Sequence, residues 1–423
     1  MAFENSSFYI LPLVIESQED LHKFLTSSDK WREGVRDGGE YGGKYGYLFN
    51  YVSRIIESEE MCRVYQYADP SSLPIYMFHN EIQSAEIPVI TEATLYAFGT
   101  GIGFFELKVS YGGMTMSEIC NFAYHFKVAT RAKKDKYVKG DKKSLHVVLD
   151  DLFPGGRAGA RRFITGRDAD KYQGLCFHMI KTDYKDEAER NLLLFRLKRS
   201  YTDKFLYDEN NDFGQYDMTF APYEYLAFGG CQEGFAALCR DTGIESTDFF
   251  INEYFYPQLI FHHHYMYLIL LNQRFSELLY VEEIATTENT KAVVEGISKK
   301  IVTLKTRYSF HVVSDDYIYQ NIYARMYKIL DIDKLFLDIE ENGDRLTLLQ
   351  NNELAETEKA NGVFLMCLSF LTVFSALVDL ATYLDRMSVG NLVSTVLSAT
   401  GVLGIFVYAA VRFVKQRKKR KGK

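Results

Sequence analysis

Thr372, Ser375, Asp379 and Thr382 follow one another at spacings of three, four and three in the stretch Gly362 to Leu384, whose single charge is Asp379. On a helix turning about 100° per residue they fall within an arc of about 80°, with Ser369 on its flank. Hydroxyls and a carboxylate on one stripe of an apolar helix suit the passage of cations, because an acid facing lipid costs about 2.5–3.5 kcal/mol. The plainer alternative is that Ser and Thr are tolerated anywhere in such a helix and that Asp379 reaches water at an interface.

A second chemistry lies between Lys127 and Lys171, where thirteen Lys and Arg stand against six Asp, a net +7. Its run Phe153 to Phe163, FPGGRAGARRF, sets Arg157, Arg161 and Arg162 among Gly155, Gly156 and Gly159. Arginine forks match phosphate oxygens, and glycine lets a backbone approach an anion closely. Lys133 and Lys134 are the other candidate contacts, and the expected partner is a phosphate-bearing small ligand. A solvated loop and contact with anionic lipid are the alternatives.

Other motifs have structural readings. Gly99-Thr-Gly-Ile-Gly103 has the glycines of a phosphate loop, but strand-like residues follow it, so it reads as a hairpin turn. His262, His263 and His264 are consecutive, point about 100° apart on a helix and cannot converge on one metal. Asp150 and Asp151 have no partner base. No Ser, Cys or His arrangement carries a nucleophile signature, so neither a catalytic residue nor a resident cofactor is expected. A divalent cation enters only as a permeant or regulatory ion.

These residues must be positioned by a chain of 423 residues with net charge −7, of which 47% are hydrophobic and 25% charged. Those values fit two or three folded units and disfavour disorder and a stable nucleic-acid partner. The last dozen residues carry +8, so the remainder outside the two basic islands carries −22. Six cysteines form no C-x-x-C pair, which argues against a disulfide scaffold or a zinc module.

Gly362–Leu384 and Ser388–Val411 each exceed the ~20 apolar residues that cross a bilayer core, so two transmembrane helices are expected. The basic tail from Arg412 places the C-terminus in the cytoplasm, and two spans then place the N-terminal part there too. Gly390, Ser394 and Ser398 suit close packing of the second helix around the first. The N-terminal FYILPLVI lacks a preceding basic region and reads as a strand, not a signal peptide.

Before Pro257 strand-like runs recur, among them Phe8–Ile15, Thr94–Phe98, Phe104–Tyr111 and Leu192–Leu197. Thr115 to Thr130 reads as a helix opened by a Thr115…Glu118 capping box. After Pro257 there is no proline, and Ser314-Asp-Asp316 marks a helix start. The expected fold class is an α+β cytosolic domain at 1–257, a helical stalk at 258–361, transmembrane helices at 362–384 and 388–411, and a basic tail at 412–423.

That arrangement resembles the CorA-like cation channels, and His262–Ala285 looks like the opening of the helical section in divergent members. The family's Gly-Met-Asn signature is missing; the loop reads Asp385-Arg-Met-Ser-Val-Gly-Asn391. The resemblance implies a homopentamer with its pore lined by the first span and Gly390 and Asn391 at the outer mouth. Branches without the signature look like membrane effectors of bacterial antiviral systems, type III CRISPR among them, gated by a nucleotide messenger. The expected function is therefore a ligand-gated ion channel or membrane-permeabilising effector of the inner (plasma) membrane, with lipid and its own copies as partners. A constitutive magnesium or divalent-cation transporter and a membrane-anchored scaffold are the alternatives.

Overall fold

The computed structural model describes residues 4–34, 48–73, 88–131, 152–153, 159–162, 174–207, 217–240, 254–281, 295–303, 306, 310 and 312–384. The chain divides into two compact units, 1–345 and 346–423.

The first unit is built on a ten-stranded mixed sheet. Its strands are β1 (Ser6–Ile15), β2 (Trp31–Glu33), β3 (Cys62–Tyr67), β4 (Val89–Phe98), β5 (Ile102–Ser110), β6 (Ala160–Arg162), β7 (Leu175–Lys181), β8 (Asp217–Tyr223), β9 (Leu226–Cys231) and β10 (Gly234–Cys239). They lie in the order β2-β3-β4-β5-β1-β7-β10-β9-β8, with β6 also beside β1. All pairs are antiparallel except β7 with β10. The helices are α1 (Gln18–Thr26), α2 (Asn50–Glu57), α3 (Met116–Arg131), α4 (Glu187–Arg199), α5 (Tyr256–Val281), α6 (Tyr317–Ile329) and α7 (Ile332–Leu384).

The apolar N-terminal run becomes β1, and all ten of its residues are buried because both sheet faces are covered. Pro12 is tolerated in this central strand because it falls between the partner runs of β7, ending at Ile10, and β6, starting at Leu13. On one face Tyr9, Leu11, Phe105, Leu107 and Cys176 pack with Phe122 and Phe126 of α3 and Leu194 and Leu197 of α4. On the other, Phe8 stacks on Phe255 at 4.3 Å, Phe98 on His263 of α5 at 4.1 Å, and Phe228 lies 4.7 Å from Tyr254.

Local signals are realised. The Thr115 amide donates to Glu118 at 2.8 Å, closing the capping box of α3. Asp316 caps α6, accepting from the Ile318 amide at 2.7 Å. Gly99–Gly101 form the tight β4–β5 turn, with Gly101 at φ 92.

The expected fold class is corrected. Leu192–Leu197 belongs to helix α4, not to a strand. The section read as the opening of the helical stalk falls in α5, where His262 packs on Phe177 and His263 on Phe98 of the sheet. Among the described residues no helix is long and apolar enough to cross a membrane, so the two C-terminal transmembrane helices are not supported. Residues 362–384 are the end of the 53-residue α7, where Ser369, Thr372, Ser375 and Asp379 interrupt the apolar run. Residues 388–411 lie outside the described residues.

Candidate functional site

The stripe residues Ser369, Thr372, Ser375 and Asp379 are exposed on α7. The Thr372 hydroxyl turns back on its own helix, donating to the Leu368 carbonyl at 3.1 Å and the Ser369 carbonyl at 2.9 Å. The side chain of Thr382, and Gly390 and Asn391 entirely, lie outside the described residues. Beside the stripe stand Val363, Phe364, Leu365, Met366, Leu368 and Leu371, each between 43% and 63% exposed. At about 100° per residue they point to every side of the helix. A helix apolar all round is ordinarily buried on all sides.

Of the basic island, Lys127 is buried in α3, and Arg161 is a described residue that faces solvent. It lies on β6, opposite Val14 of β1, and its Nε donates to Glu16 Oε1 at 2.8 Å. Both side chains are about half exposed, so the pair contributes at most about 1 kcal/mol and can be exchanged for another anion. Gly159 serves the fold: its carbonyl accepts from the Glu16 amide at 2.7 Å, and a Cβ there would lie 2.7 Å from the Ser17 carbonyl. Arg157, Lys133, Lys134 and the side chain of Arg162 lie outside the described residues.

The sheet holds polar groups that the sequence reading passed over. Beneath α3 and α4, the Ser7 hydroxyl meets His178 Nδ1 at 2.5 Å and Cys176 Sγ meets His178 Nε2 at 3.0 Å. Tyr9 and Tyr111 share a hydroxyl contact of 2.7 Å, and Lys127 Nζ donates to the Arg199 carbonyl at 2.8 Å and pairs with Glu233. Burial, with Lys127 adding to it, lowers His178 to about 3, and burial raises Cys176 to about 12. Thiol and imidazole are therefore both neutral, which is the opposite of an activated thiolate pair. The C-x-H spacing at 176–178 is the one signal that could have revealed this cluster, since alternate strand residues share a face.

Beneath α5 the polar groups are spread out. His263 Nε2 shares a 2.7 Å contact with the Thr100 hydroxyl, and His262 Nδ1 lies 2.9 Å from the Gln258 carbonyl. Burial lowers His262 to about 4 and His264 to about 3, and burial with the help of His264 holds His263 well below its ordinary value. Both ends of the buried Gln258 amide and His262 Nε2 have no hydrogen-bond partner. Glu106 is buried on β5, and burial followed by Glu92 raises its carboxyl to about 8. Among the described residues no group of three His, Cys, Asp or Glu side chains could hold a metal ion.

These arrangements offer an exposed apolar helix end, a solvent-facing arginine and a buried polar interior. Compared with known protein families, curated proteins and solved structures, the chain matches none.

Proposed function

We propose that this chain is a ligand-controlled effector that assembles with copies of itself and perturbs a lipid bilayer, letting ions or small solutes leak. The observation that carries the reading is the apolar end of α7, where six large apolar side chains are exposed on every side. Such a surface is covered only by several neighbours at once, which cyclic self-assembly at an apolar phase supplies. The ligand is a phosphate-bearing molecule taken by the basic island, where Arg161 exchanges Glu16 for it at small cost.

The test is native mass of the full chain and its release of dye from anionic phospholipid liposomes, with Phe364→Asp plus Leu365→Asp as the control variant. The parent should form an oligomer and release dye. The double variant should keep its circular dichroism while losing both properties. A monomeric parent that leaves liposomes intact overturns the proposal. Arg161→Glu should abolish any response to added nucleotides without changing assembly.

A further inference from the structure

Glu106 stands on β5 between Ile10 of β1 and Thr94 of β4, on the sheet face beneath α5. Its side chain is 3% exposed, and its Oε2 has no hydrogen-bond partner. Tyr96 of β4 hydrogen-bonds this carboxyl and also Tyr256, the first residue of α5. The two tyrosine rings meet edge to face at 6.3 Å. Glu106, Tyr96 and Tyr256 thus form a short chain of buried polar contacts from the middle of the sheet to the start of α5.

We propose that Glu106 is a buried proton-binding site whose ionisation loosens the first turns of α5 from the sheet. The inference goes beyond the effector reading and stands without it. A protonated carboxyl places no charge in this interface, whereas the anion leaves a buried charge with one oxygen lacking a donor. Burial and the nearby Glu92 raise the carboxyl from 4.5 to about 8, while Tyr96 and Lys108 oppose them. Glu92 is itself held by Lys108 at 2.6 Å, β1 contributes the apolar Ile10, and α5 contributes the Tyr256 phenol. Because the folded value is raised, the stabilisation is complete below about 4.5 and is lost as pH rises through about 8.

The experiment is infrared titration and amide hydrogen exchange of the full chain between pH 6 and pH 9. The parent should show a protonated-carboxyl stretch that disappears near pH 8 and is missing from Glu106→Gln. After correction for base catalysis, amides 256–264 should exchange about tenfold faster at pH 9 than at pH 7 in the parent, and equally fast in Glu106→Gln. Unchanged pH dependence in Glu106→Gln overturns the proposal. Should that variant not fold, Tyr96→Phe decides. Loss of its hydrogen bond must move the carboxyl midpoint upward, and a midpoint that stays or falls refutes the site.

Discussion

The two faces of the sheet treat buried polar groups differently. Beneath α3 and α4, Ser7 and Cys176 meet His178, Tyr9 meets Tyr111, and Lys127 meets Glu233 at short range. Beneath α5, Glu106 and Gln258 keep polar atoms without partners. The first face uses polarity to specify one packing, because a satisfied buried network is costly to rearrange. Burial holds ionisable groups neutral on both faces, His178 and Cys176 on the first and Glu106, His262 and His264 on the second. What differs is how the polar groups are arranged: the first face joins many of them in short pairs, whereas beneath α5 Glu106 Oε2 and both ends of the Gln258 amide have no partner.

The largest expected effect is acid unfolding. His178, His262 and His264 are lowered from 6.5 to about 3, 4 and 3, so their contribution is complete above about 6.5 and is lost as pH falls through about 4 to 3. Glu106 acts with the opposite sign, so together these groups place maximum stability near 6.5. If the α5 face is the sensitive one, His262→Gln plus His264→Gln shifts the acid midpoint, followed by circular dichroism, more than His178→Gln does. Equal shifts erase the contrast.

Next in size, Lys127→Met removes a buried cation whose partner Glu233 is about one third exposed, and leaves the Arg199 carbonyl without it. Urea unfolding should register a loss of about 1–3 kcal/mol, since solvent reaches the carboxylate that is left behind. Tyr111→Phe leaves the buried Tyr9 hydroxyl without its 2.7 Å partner and should cost about 1–2 kcal/mol in the same assay. The smallest effect belongs to the other face. Gln258→Met forfeits no side-chain hydrogen bond and should lie within about 0.5 kcal/mol of the parent or above it. A loss as large as that of Tyr111→Phe means the two faces are alike.

Much of the local structure was legible before any fold was known. The β1 run, the Thr115–Glu118 box, the Asp316 cap and the Gly99–Gly101 turn each depend on residues within a few positions of one another. The candidate site was legible only in pieces. The polar stripe of α7 was visible as a periodicity, but periodicity does not say whether a helix crosses a membrane or continues from a longer polar one. Leu192–Leu197 misled for a related reason: a short apolar run does not reveal its period, and Asp186 with Glu189 sets it as a helix start.

What the sequence by itself determined, then, was composition, caps, turns and the unbroken apolar run of β1, because those follow from backbone preference and nearest neighbours. Tertiary structure alone decided the strand order, which sets Ser7 opposite His178 across 171 residues of chain. It also decided that Glu106, one acid in an apolar strand, is buried beneath α5, which raises its carboxyl to about 8. Burial, and the charge state that burial imposes, belong to the assembled sheet and not to any segment of it.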